Sequence, residues 1–358
     1  MPVPLEDALV PARAAFAAFL RSLDPAARVV VFCHFDADGL AAGALLGRAL
    51  PRLGFRDVRV VHSDRGESAF GEAARGRLAA LRPDALIVAD LGVNRAGVLP
   101  GVPTLYVDHH RPEGEPEGAV VVSGYGWDPI PASAWMAYDL LLPLADVAEL
   151  DWIAAVGTLS DLGDRAPWPA LPAAKKRHTA KWLKEAVALV NAARRAREFD
   201  VATPLRLLLE ADGPRALAED DARGADRLRA YRAEVAAELA KARRAAPRFA
   251  AERPFALLHL DSPCQIHPLI AQQWRGRLPK FAVLAANRGY LPGVVAFSMR
   301  TARADLVLPA ILRAVDLGPH GAGPNYGNGH DQASGGHLPP ESFNRLLDAL
   351  GFGADAHV

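Results

Sequence analysis

Arg28-Val29-Val30-Val31-Phe32-Cys33 runs without a break into His34-Phe35-Asp36-Ala37-Asp38-Gly39. The first six residues read as a strand that is apolar throughout, the pattern of a strand covered on both faces of a parallel sheet rather than on one. The six that follow put imidazole and carboxylate at that strand's end. If the extension continues, period-two spacing sets His34, Asp36 and Asp38 on the same side.

The same alternation of short apolar strands and helical stretches continues outward in both directions. Residues 5–23 carry apolar positions at helical spacing, and 39–53 are rich in alanine and leucine and read as a helix. Strands are expected at 58–62, 85–89, 104–107 and 119–123, with helices at 68–81, 133–144 and 150–160. This pattern describes an α/β domain with a doubly wound, mainly parallel sheet. A proline-rich exit at 165–172 is followed by helical residues 173–246, expected as two or three connecting helices broken near Asp212-Gly213-Pro214. Apolar strands at 255–260, 281–286 and 293–299, with a helix over 266–274, describe a smaller C-terminal α/β domain. The expected division is 1–165, a helical connector over 166–250, and 251–358.

Composition narrows the function classes. With 358 residues the chain exceeds one typical core. Basic and acidic side chains balance at 41 each, so there is no global field for gripping duplex DNA, although a local basic groove is allowed. Cys33 and Cys264 lie far apart in apolar surroundings, as expected of a reducing cytoplasm and not of a disulfide framework. Residues 1–20 lack a basic start, a long apolar core and a cleavage site, so no signal peptide is expected. No uncharged apolar run reaches the roughly 18 residues of a membrane span.

Candidate ligands fall just past strand ends, where the loops of a doubly wound sheet converge. Asp90 follows the strand at 85–89, and Asp108-His109-His110 follows 104–107. Two adjacent histidines cannot both face one ion from an extended strand, so one is expected to bind and the other to do something else. Asp161 adds a fourth contribution, within Gly157-Thr158-Leu159-Ser160-Asp161-Leu162-Gly163-Asp164. These are more ligands than one ion needs and about the number that a bridged two-metal site requires.

At these residues the sequence resembles the DHH phosphoesterase superfamily, with HFDADG at 34–39, the lone Asp90, DHH at 108–110 and GTLSD at 157–161. Phe297-Ser298-Met299-Arg300 and the glycine-rich 327–336 resemble the family's associated C-terminal domain, with Asn328 where a third glycine is common. The resemblance covers 28–164 and 255–350. It implies two divalent ions, most suitably manganese with magnesium or cobalt behind it, zinc being less suited to near-octahedral sites. His34, Asp36 and Asp90 would hold one ion. Asp38, Asp90, His109 and Asp161 would hold the other, with Asp90 bridging. Asp161 is preferred to Asp164 on the same ground. Asp108 would orient His109, and His110 would donate to a phosphoryl oxygen.

The resemblance also implies that the metal site lies in a cleft whose other half is the C-terminal domain. There Arg300 would hold a phosphate bidentately, and the 327–336 loop, including Gly329, Gly335 and Gly336, would present backbone N–H groups. His330 would be a further phosphate donor, with Ser298 and His337 as weaker candidates. His62, His178, His259, His267 and His320 are read as ordinary histidines, and the run Lys175-Lys176-Arg177 with Lys181, Lys184, Arg194, Arg195 and Arg197 as a solvated helix face. Trp168 and Trp182 are expected to pack between domains.

The implied activity is hydrolysis of short single-stranded oligonucleotides, or of linear or cyclic dinucleotides, to 5′-mononucleotides by a metal-activated hydroxide. The protein would be cytoplasmic, monomeric or homodimeric, and independent of membranes. One alternative is a RecJ-like exonuclease on longer strands. The DADG spelling favours that branch, but the end at Val358 leaves no room for an OB-fold to track a strand. A catalytically silent nucleotide-binding protein is the other, and inorganic pyrophosphatase is disfavoured.

Overall fold

A strand buried on both faces needs partners on each side and helices above and below, and the central strand of the first sheet has all of these. In the computed structural model, which describes residues 2–319, 321 and 326–358, the chain forms two compact units. The first comprises 1–194 and 199–230, the second 195–198 and 231–358.

In the first unit, β1 (Val3–Pro4) leads into α1 (Leu5–Arg21). There follow β2 (Arg28–Cys33), α2 (Ala37–Ala49), β3 (Asp57–His62), α3 (Glu72–Ala80), β4 (Ala85–Ala89), β5 (Thr104–Asp108) and β6 (Val120–Ser123). Strands β2 to β6 pair in the order β3-β2-β4-β5-β6, every pair parallel. Val30, Phe32, Leu86, Val88 and Tyr106 pack with Ala74 and Leu78 of α3 on one face. The intervening Val29 and Val31 are equally buried, with α2 against the sheet on its other side. A short strand, β7 (Trp127–Asp128), pairs with β1, and α4 (Ser133–Leu141) and α5 (Asp151–Leu162) pack on α2.

The stretch expected as a connector has no independent existence. It forms five helices rather than two or three: α6 (Leu171–His178), α7 (Ala180–Arg195), α8 (Ala202–Glu210), α9 (Pro214–Glu219) and α10 (Ala225–Ala242). The break near Asp212-Gly213-Pro214 is present. Leu183, Ala186, Leu189, Val190, Leu205, Leu207 and Leu208 are buried, and α8 packs on α2. The residues are polar on one side because the other side serves a core, so 166–194 and 199–230 belong to the first unit and 231–250 to the second.

The second unit carries β8 (Arg248–Phe249), β9 (Phe255–Leu260), α11 (His267–Arg277), β10 (Ala282–Asn287), β11 (Val295–Thr301), α12 (Leu308–Arg313), β12 (Asn328–His330), β13 (Ala333–Leu338) and α13 (Pro340–Ala349). Its six-stranded sheet runs β12-β13-β11-β10-β9-β8 and is antiparallel except where β10 meets β9. Val295, Phe297 and Met299 join Leu308, Phe343 and Leu346 in its core.

The glycine-rich 327–336, expected as a phosphate loop, is a β-hairpin. Its glycines answer to strand approach: a Cβ on Gly335 would lie 2.5 Å from the Phe297 carbonyl oxygen, and one on Gly329, where φ is +121°, would lie 2.3 Å from that of Ala333.

Candidate metal centre

Strand order fixes where the ligands meet. From β2 the chain goes to β3 on one side and then crosses to β4 on the other, so the switch point lies at the carboxyl ends of β2 and β4. His34 follows β2 and its N–H continues the ladder to the Ala89 carbonyl at 3.1 Å. The extension stops there, contrary to the expected period-two spacing. Asp36 instead caps α2, its carboxylate accepting from the N–H groups of Asp38 (3.2 Å) and Gly39 (3.1 Å). Asp38 is therefore in the first helical turn and arrives by helix geometry. Gly39 permits this fold-back, because a Cβ there would lie 2.5 Å from His34 Cβ.

Asp38 is buried and its carboxylate accepts two backbone N–H groups from the start of α4, Ser133 at 2.8 Å and Ala134 at 2.9 Å. Ser133 Oγ donates to Asp90 Oδ1 at 2.8 Å. Gly157 completes the packing: a Cβ there would stand 2.7 Å from Asp38 Oδ1. Asp90 itself holds a left-handed backbone, φ 63°, a conformation that costs a non-glycine residue free energy and is characteristic of functional sites.

The two oxygens of Asp90 address different imidazoles. Oδ2 is 3.7 Å from His34 Nδ1, which is itself 3.2 Å from Asp36. Oδ1 is 3.4 Å from His109 Nε2, whose Nδ1 is 3.8 Å from Asp161 in the last turn of α5. Donor atoms gather in three overlapping sets, each within 4.8 Å: His34, Asp36 and Asp90; Asp38, His109 and Asp161; and Asp90, His109 and His110.

Electrostatics follow from the crowding. Burial, with Asp90 and Asp161 nearby, holds the Asp38 carboxyl well above the usual range. Burial also opposes ionisation of Asp90, but hydrogen bonds from His109 and His34 keep it well below. Burial disfavours charge on both imidazoles, yet they are pushed up, each to about 10, by Asp36 and Asp90 at His34 and by Asp90 and Asp38 at His109. Carboxylates this close keep their charge only beside positive groups, and the mixed oxygen and imidazole donors suit a divalent transition ion.

The Asp108 expectation needs correction. Its buried carboxylate accepts from the N–H of Gly92 (2.6 Å) and of His110 (2.7 Å) and lies 3.1 Å from His110 Nδ1. β5 ends at Asp108, whose carboxylate closes a turn onto the backbone and ring of His110, so Asp108 orients His110 and not His109.

Asp164 lies apart from the cluster and pairs with Lys175 (3.3 Å) and Lys184. Lys175, Arg177, Lys184 and Arg197 of the basic run are ion-paired, Arg177 meeting Asp151 at 2.9 Å, where His178 also lies at 2.6 Å. Trp168 packs inside the first unit, 6.4 Å from the Trp135 ring. Lys181 and Arg215 lie over Trp182. His62 sits 3.0 Å from the Ser63 carbonyl and His259 is half-buried. His267 is buried and, among the described residues, has no hydrogen-bond partner at Nδ1. His320 lies outside the described residues.

In the second unit, strand register aligns the candidate phosphate residues. Arg300 and His330 both pair with Ala333, and Ser298 and Asn328 both pair with Gly335, so these four side chains share one face with only small residues between them. Gly336 and His337 lie on β13 beside them. Arg300 is pushed down by burial and by Arg275, a residue not foreseen from the sequence. Arg275 is held 3.1 Å from Gln332 Oε1.

No family model matches the chain and comparison with curated proteins finds no relative. Solved structures do match. RecJ from Thermus thermophilus in complex with Mn²⁺ aligns with a TM-score of 0.68 at 23% identity, over 99% of this chain and 56% of that one. An exonuclease RecJ bound to manganese aligns at 0.67 and 24%, over 95% of this chain and 93% of its own. The DHH domain of a member of a ribosomal-protein family aligns at 0.68 and 13%, over 97% and 92%. The chain thus spans little more than half of the Thermus RecJ, and at these identities the likeness establishes a shared fold: the α/β fold of RecJ and of the DHH domain. Among the described residues no helix is long and apolar enough to cross a membrane.

Proposed function

We propose that the chain belongs to the DHH phosphoesterase superfamily and is a metal-dependent phosphodiesterase that hydrolyses short single-stranded oligonucleotides, or linear or cyclic dinucleotides, to 5′-mononucleotides. The observation that carries this reading is the position of Asp90, whose two oxygens face two separate donor sets. His34, Asp36 and Asp90 would hold one divalent ion and Asp38, Asp90, His109 and Asp161 a second, manganese suiting the donors best, with magnesium or cobalt next. When bound, such a pair supplies Lewis acidity toward a phosphodiester and lowers the pKa of water near neutral pH.

The chain's own groups do the rest. Ser133 and the α4 N-terminus fix the carboxylates of Asp90 and Asp38, as partners of metal-binding groups commonly do. His110, half-exposed and steered by Asp108, is the proposed donor to a phosphoryl oxygen. Arg300 is proposed to grip a phosphate, with the side chains of Ser298 and His330, on the same sheet face, as its companions. The likeness to RecJ favours a second reading, a single-strand exonuclease on longer substrates.

Purified protein with manganese is expected to release 5′-mononucleotides from a panel of di- to pentanucleotides. Faster turnover of a long single strand than of a dinucleotide would select the exonuclease reading. Turnover of no member of either class would refute both.

A further inference from the structure

One phenylalanine ring lies against His34 of the donor cluster and a second against the first, and separate parts of the first unit send a guanidinium to each. Phe35 stands between His34 and Asp36, its ring centroid 4.3 Å from that of His34. Phe199 meets it edge-on at 5.3 Å and 75°. Arg65 lies 4.9 Å over the Phe199 ring, and Arg194 5.9 Å from that of Phe35. Arg65 comes from the segment after β3, which the sheet order makes a neighbour of the His34–Asp36 segment at the same carboxyl edge. Both rings are half-buried, whereas most of the chain's other phenylalanines lie in its cores. Phe199 is held with φ at 54°, a conformation rare for a bulky residue and one that persists only where its surroundings impose it.

We propose that Phe35 and Phe199, with Arg65 and Arg194 at their flanks, form a stacking platform for the nucleobase adjoining the scissile phosphate. This rests on the phosphodiesterase reading above and specifies its substrate as a strand with an unpaired base at that position. Every base offers a π-face, so aromatic surface binds without demanding a sequence, and arginine beside it serves both the ring and the phosphate backbone. A duplex hides those faces within its own stack. The competing role, an apolar plug that braces the segment after β2, would be filled as well by an aliphatic side chain.

Phe199→Leu keeps apolar bulk and removes the π-face, and Phe199→Trp keeps it. Both are to be compared with wild type on a dinucleotide, on the same dinucleotide made abasic at one position, and by the fluorescence of a 2-aminopurine dinucleotide on binding. Wild type is expected to favour the base-bearing substrate by roughly five- to hundred-fold in kcat/KM, chiefly through KM. Phe199→Leu should bring that ratio toward one and abolish 2-aminopurine quenching, and Phe199→Trp should preserve both. An unchanged ratio in Phe199→Leu, or an equal loss on both substrates, would overturn the platform. If Phe199→Leu does not fold, Arg65→Gln decides, since it too should lower the ratio and an unchanged one overturns the proposal. A wild type that turns over neither substrate would refute the phosphodiesterase reading, while quenching, which needs binding alone, would still decide the platform.

Discussion

The two sheets present chemistry in opposite ways. In the first unit the candidate ligands leave the strands and gather where parallel strands end. His34 and Asp90 lie just past β2 and β4, Asp36 and Asp38 at the start of α2, which packs on the sheet, and Asp161 in the last turn of α5, which packs on α2. In the second unit the candidate phosphate residues remain within antiparallel strands, aligned by register on one face. The first arrangement assembles a dense, mutually coupled cluster of carboxylates and imidazoles. The second spreads guanidinium and imidazole over a surface. Damage to the first should act on metal affinity and turnover together, and damage to the second on substrate affinity.

The largest effect is expected at the point where the first arrangement is most coupled. Asp90→Ala should lower kcat by several orders of magnitude if, as proposed, one carboxylate serves both ions; retained activity would refute that role. Arg300→Ala in the second unit should raise KM about 10- to 100-fold, the loss of charge-assisted hydrogen bonds to phosphate, with kcat nearly kept. A fall in kcat instead would give Arg300 a role in the chemical step. Ser133→Ala removes the hydroxyl that donates to Asp90 and should weaken manganese binding roughly 10-fold, measured calorimetrically. Asp164→Asn changes an exposed carboxylate paired only with lysines and should leave manganese affinity unaltered, which sharpens the choice of Asp161.

The contrast also explains what can be read from sequence. β2, β4 and β9 have the bounds expected from their apolar runs, since strands covered on both faces read as nearly continuous apolar stretches. The four ligand stretches are visible because each abuts such a strand or sits in a distinctive motif. Ser133 is not, because a serine opening a helix is an ordinary cap, and only the tertiary fold aims that helix start at Asp38 and Asp90. The hairpin β12–β13 is hidden by its glycines, which read locally as a turn but are required by the nearness of Phe297 and Ala333. The middle helices read as a connector because their buried stripes name no partner until α8 is seen on α2.

Asp90 is proposed to join two metal-binding sets through one buried carboxylate. Manganese titration of the purified protein, with bound metal counted by elemental analysis, tests it most directly. Two ions per chain are expected for the wild type, with both weakened in Asp90→Ala. A single ion in the wild type, or two retained undiminished in Asp90→Ala, would contradict it.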